Sequence, residues 1–191
     1  MELTEGSEPA TPSGWALVRA LPRERQIAVA GLSALLVVAC FVRFGFSGRA
    51  VVGAFFAAVL ALLTAVDLDR RLIPNVIVLP ATVIVLVAQI ALYPDHTLEW
   101  VIASLGAALF FFVPLLIYPA GMGMGDVKLA ALLGAALGKS VIGALLGGLL
   151  AGAAFSILVL LREGMSARKK AIAYGPFLAL GGLVVLLVGG R

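Results

Sequence analysis

Residues 76–93 run for eighteen positions without a charged side chain, and residues 98–119 carry only Glu99. An α-helix of that length is about as long as the hydrocarbon layer of a bilayer is thick, roughly 30 Å. In lipid the backbone must satisfy its own hydrogen bonds, so such runs are read as spanning helices. Further apolar runs cover about 26–44, 50–66, 140–161 and 174–189, with a shorter one at 127–137. The chain as a whole is 62% hydrophobic, with mean hydropathy +1.14. The predicted fold class is all-α, a polytopic transmembrane helical bundle of about six to seven spans, with the lipid bilayer as its surroundings.

Residues 1–25 read as a polar N-terminal tail with a brief helix near 15–20, and residues 26–191 as the membrane domain. The tail carries Pro9, Pro12 and Pro22, begins acidic (Glu2, Glu5, Glu8) and ends basic (Arg19, Arg23, Arg25). No cleavage site follows the first apolar run, so it reads as a short cytoplasmic tail rather than a signal peptide. With the N-terminus inside, the inner segments hold Arg19, Arg23, Arg25, Arg70, Arg71, Arg162, Arg168, Lys169 and Lys170. The outer segments hold Arg43, Arg49, Lys139 and Arg191, and Lys128 lies at an inner edge. That excess predicts a multi-pass plasma (inner) membrane protein with a cytoplasmic N-terminus. The net charge of +4 is accounted for by topology and gives no reason to expect a nucleic acid partner.

Two acids stand at the ends of apolar runs. Asp67 closes the second, and Asp126 opens the fifth, inside Gly121-Met122-Gly123-Met124-Gly125-Asp126-Val127-Lys128. The third and fourth spans go out and return, so topology brings both acids to the inner face. Ionisable groups at membrane depth are costly and mark functional sites. Two carboxyl groups within hydrogen-bond reach share a proton. One then takes a proton from water as the water attacks a carbonyl, while the other polarises that carbonyl and protonates the leaving group. This chemistry needs no metal and no cofactor. The single Cys40 and single His96 leave no His/Cys zinc site and no intrachain disulfide.

Three stretches carry a specific resemblance. Gly123-Met124-Gly125-Asp126 is a Gly-x-Gly-Asp motif; Asp67-Leu68-Asp69 leads to Ile73-Pro74-Asn75; and Tyr174-Gly175-Pro176-Phe177 lies near the end. In this order, over about residues 50–190, the chain resembles the type IV prepilin peptidase family of intramembrane aspartic proteases. The resemblance implies that Asp67 and Asp126 are the catalytic pair of a peptidase domain spanning 26–191. It also implies a substrate class: the basic leader of pilin-like membrane precursors, cut at the cytoplasmic face. Longer family members carry an extra loop with paired cysteines, associated with N-methylation. Here the first link, 45–49, has no cysteine, which reads as a peptidase-only form served by a separate methyltransferase if the substrate is methylated.

Around the pair, Gly123 and Gly125 read as places of close backbone approach, and Gly121 as flexibility. Lys128 reads as a snorkelling lysine or as an electrostatic neighbour of the acids. Asp69 competes with Asp67 for the first catalytic position, but beside Arg70 and Arg71 it reads as a solvated or paired acid. Gly175-Pro176 reads as an ordinary helix start or, by resemblance, as the element that brings the last span to the site. His96 falls at the outer face. Gly143, Gly147, Gly148 and Gly152 read as helix packing, with a homodimer face as the second reading. The competing function is a proton- or cation-coupled transporter using the paired acids as a relay.

Overall fold

A computed structural model of the chain describes residues 14–118, 123–163 and 174–189. A short helix α1 (Gly14–Arg19) precedes α2 (Arg23–Phe44), α3 (Gly48–Arg70), α4 (Asn75–Leu92) and α5 (Thr97–Ile117). Then follow α6 (Met124–Leu137), α7 (Val141–Glu163) and α8 (Gly175–Val188). One-turn 3₁₀ segments, Pro94–His96 and Gly138–Ser140, lead into α5 and α7. No strand occurs among the described residues. Five helical stretches are long and apolar enough to cross a membrane: Arg23–Phe44, Gly48–Arg70, Asn75–Leu92, Pro94–Ile117 and Met124–Arg162. The last of these contains both α6 and α7, and Gly175–Val188 is apolar but shorter. The all-α polytopic fold class expected from hydropathy is therefore the fold observed.

The 14-residue α6 is the centre of the bundle. In α6, Leu129, Ala130, Leu132, Leu133 and Ala135 are all almost completely buried. Their partners in the main core include Phe56, Leu60 and Leu63 of α3, Val78 and Val85 of α4, Phe111 of α5 and Leu178 of α8. Small residues let α5 and α6 approach closely. A Cβ on Gly134 would collide with the Ala103 backbone and lie 2.6 Å from Ser104 Cα. Helix contacts in lipid gain from such closeness because there is little hydrophobic drive to hold apolar surfaces together. Two side-chain hydrogen bonds add to it: Ser104 Oγ donates to Ala131 O at 2.9 Å, and Gln89 Nε2 donates to Ala136 O at 2.8 Å.

The glycines of α7 divide. Gly148 and Gly152 face α8, where added Cβ atoms would meet Leu178 Cα at 2.9 Å and Tyr174 Cε1 at 3.0 Å. Gly147 has nothing within 4 Å. In contrast with α6, α2 is peripheral and buries only Leu36 and Cys40, against Ala54, Ala57 and Ala61 of α3. The helix expected near 15–20 is α1, whose Leu17 packs with Leu21 and Val66 beneath the end of α3.

Candidate active site

Asp67 lies in the last turn of α3. The helix runs past it to Arg70 and stops because Arg71 adopts the left-handed conformation (φ 51°, ψ 42°), its N–H donating to Asp67 O at 2.7 Å. A non-glycine residue in that region marks a strained, defined stop. The Asp67 side chain is buried, at 6% exposure, and its Oδ2 has no hydrogen-bond partner. Gly175, the first residue of α8, stands directly against it: an added Cβ would sit 2.5 Å from Oδ2 and 3.1 Å from Cγ. The Gly175 N–H is close enough to act on the carboxyl without closing a hydrogen bond to Oδ2. Tyr174 packs on Gly152 of α7, which fixes where α8 begins.

Asp126 is the third residue of α6, where free N–H groups and the helix dipole favour a carboxylate. Gly123 N–H donates to Asp126 Oδ2 at 3.4 Å, and Asp126 N–H donates to Gly123 O at 3.1 Å. Asp126 is partly buried and stands within Coulombic reach of Asp67. The two acids that topology places at one level are therefore brought together at one end of the bundle.

The supporting residues divide by what they touch. Gly123 is exposed and leaves room beside Asp126, the nearest atom to an added Cβ being Asp126 Oδ2 at 3.7 Å. Gly125 is already filled from within: its added Cβ would meet Ile73 Cβ at 3.0 Å. Its smallness thus admits the α3–α4 link rather than a second chain. Lys128 Nζ donates to Asn75 Oδ1 at 2.6 Å, and among the described residues it forms no ion pair with either acid. Asp69 is paired, accepting from Arg25 at 2.5 Å and Arg70 at 3.0 Å. Pro176 is the second residue of α8, in the first turn where a missing N–H costs nothing; the residue against Asp67 is its neighbour Gly175.

His96 is at the far end of the bundle, 3.4 Å from Glu99. Gly121 and the basic run Arg168, Lys169 and Lys170 lie outside the described residues. No group of three or more His, Cys, Asp or Glu side chains converges among the described residues. Two carboxyl groups at one end of the bundle are the kind of side chain that acid–base chemistry uses.

Residues 54–157, more than half of the chain, match the type IV leader peptidase family. The chain belongs to that family. It is 31% identical over 164 residues to a prepilin leader peptidase/N-methyltransferase of Xanthomonas campestris pv. campestris, covering 83% of this chain and 57% of the relative. A protein of the same name from Bacillus subtilis is 30% identical over 162 residues, covering 83% and 64%. One from Pseudomonas aeruginosa is 33% identical over 153 residues, covering 76% and 52%. The chain thus spans about half to two thirds of the length of these relatives. No solved structure matches it significantly.

Proposed function

We propose that this family member is an intramembrane aspartic endopeptidase that removes the basic leader from pilin-like precursors at the cytoplasmic membrane face. The observation that carries the reading is the placing of Asp67 of α3 and Asp126 of α6 at one end of the bundle, within Coulombic reach, with Asp67 against the first residue of α8. A water oxygen attacks the scissile carbonyl carbon while the ionised carboxylate takes one of its protons. The protonated carboxyl donates to the carbonyl oxygen, and the C–N bond breaks as the departing nitrogen gains a proton. One peptide bond and one water become a carboxyl and an amine.

The orientation is supported by charge. Arg25 reaches Asp69 at the end of α3, so Arg23, Arg25, Arg70 and Arg71 gather at the acid end, as inner-face residues would. The relatives are named for both a peptidase and an N-methyltransferase activity. Here α2 and α3 are joined by only three residues, 45–47, which favours a peptidase whose product is methylated, if at all, by another protein. The transporter reading requires a polar path continuing past the acids. Leu60, Leu63, Leu132, Leu133 and Val85, all buried in one core, occupy the bundle beyond them.

The test is cleavage of a precursor carrying a basic leader and an apolar helix, by purified protein in detergent or lipid. Loss with Asp67→Asn and with Asp126→Asn, but not with Asp69→Asn, is the expected result. Loss with Asp69→Asn in place of Asp67→Asn moves the first acid by two positions. Full cleavage by Asp126→Asn overturns the mechanism and directs attention to proton flux.

A further inference from the structure

The helices that bear the two acids share little direct contact; α3 and α6 are each packed mainly on other helices, with α4 common to both. The separation of the carboxyls is therefore set largely through elements that touch both. One is the start of α8, where Gly175 meets Asp67. The other is the link from α3 to α4. That link leaves α3 at left-handed Arg71, buries Ile73 on Gly125 of α6, and ends at Asn75, which accepts from Lys128 Nζ at 2.6 Å. Gly125 and Lys128 bracket Asp126 in sequence. The link thus grips the first turn of α6 on both sides of its acid, one apolar contact and one charge-assisted hydrogen bond.

We propose that Lys128 and Asn75 are positioning residues whose hydrogen bond fixes the separation of Asp67 and Asp126 by fastening the α3–α4 link to the first turn of α6. The proposal rests on the peptidase reading for its consequence in catalysis, and on the geometry alone for its structural part. A displacement of about 1 Å between acting groups costs up to roughly 100-fold in rate, so a lost fastening should be felt in turnover. Precursor binding along the exposed face would be little changed.

Two measurements decide it. In the first, kcat and KM for precursor cleavage are compared among wild type, Lys128→Met, Asn75→Leu, the double variant and Asn75→Asp, with Asp126→Asn as a dead control. Expected is a kcat loss of roughly 10- to 100-fold in each single variant, with KM nearly unchanged. The double variant should be no worse than either single one, as for two ends of one interaction. Asn75→Asp, which keeps an acceptor for Nζ, should recover most of the turnover. In the second, spin labels are placed at exposed Leu68 and Met124 in a Cys40→Ala background, and their dipolar distance distribution is recorded with and without Lys128→Met. Broadening or a shift is expected. Unchanged turnover in either Lys128→Met or Asn75→Leu, additive losses, or an unchanged spin distance overturns the proposal. If wild type does not cleave, or Asp126→Asn does, the peptidase reading fails and the spin distance alone decides whether the fastening exists.

Discussion

The two ends of the bundle bury different kinds of polar group. At the end away from the acids, polar side chains join helices. Gln89 and Ser104 donate across to α6, and Glu99 accepts from the Lys139 N–H at 3.2 Å while pairing with His96. A cavity of about 280 Å³ there is lined by Gln89, Tyr93, Trp100 and Ser140, among others. At the acid end, Arg25–Asp69 and Lys128–Asn75 also join elements, but the buried Asp67 carboxyl itself is held by close approach of Gly175, with Gly125 packed on Ile73 nearby. The carboxyl is held without being consumed, and Asp67 Oδ2 remains unpaired. Gln89 Oε1 and Trp100 Nε1 are unpaired as well, but these are neutral groups, and burying an ionisable one is far more expensive. The difference teaches that a buried carboxyl can be positioned by close contacts that leave an oxygen free, as at Asp67 Oδ2.

The sharpest way to break this contrast is to neutralise either acid. Asp67→Asn and Asp126→Asn should each lower cleavage at least about 1000-fold, within the range for loss of a general acid or base. Circular dichroism should show the helices intact; residual activity within tenfold of wild type would mean that the acid end is structural like the other. Next in size is Gly175→Ala, which places a methyl group on the Asp67 carboxyl. Turnover should fall roughly 100-fold while the melting temperature in detergent stays near wild type, and a full-rate variant would show that this contact does not hold the acid.

At the opposite end the effect moves from turnover to stability. Gln89→Leu removes its unpaired oxygen but strands the buried Ala136 carbonyl, so stability should fall by about 1–3 kcal/mol. Cleavage should run at the wild-type rate; a large loss of turnover would tie the far cavity to the chemistry. Smallest is Asp69→Asn. It breaks ion pairs whose arginines are about half exposed, Arg25 at 51% and Arg70 at 43%, and exposed pairs contribute about 0–1 kcal/mol. Near-normal cleavage is expected, and a dead Asp69→Asn protein would reverse the roles of two acids that stand two residues apart.

Much of the helical layout was legible in the chain itself. Runs of apolar residues announce spanning helices because each residue's transfer from water to lipid is a local property, independent of its eventual neighbours. Thus 76–93 and 98–119 became Asn75–Leu92 and Thr97–Ile117, and the parity of the spans brought Asp67 and Asp126 to one end. The helix limits at the acids were less legible. The second run was expected to end near 66, yet α3 continues to Arg70. The fifth was expected to start near 127, yet α6 starts at Met124. Both acids therefore sit within terminal turns. At Asp126 the first-turn N–H groups favour a carboxylate, a preference stronger than hydropathy at that position. Which residue meets which was decided only by the packed helices. That Gly125 is filled by Ile73, that Gly175 rather than Pro176 meets Asp67, and that Lys128 reaches Asn75 all join segments between 52 and 108 positions apart. Those distances depend on where α4 and α8 settle against α3 and α6, and no local property of the chain encodes a sum of such packing contacts.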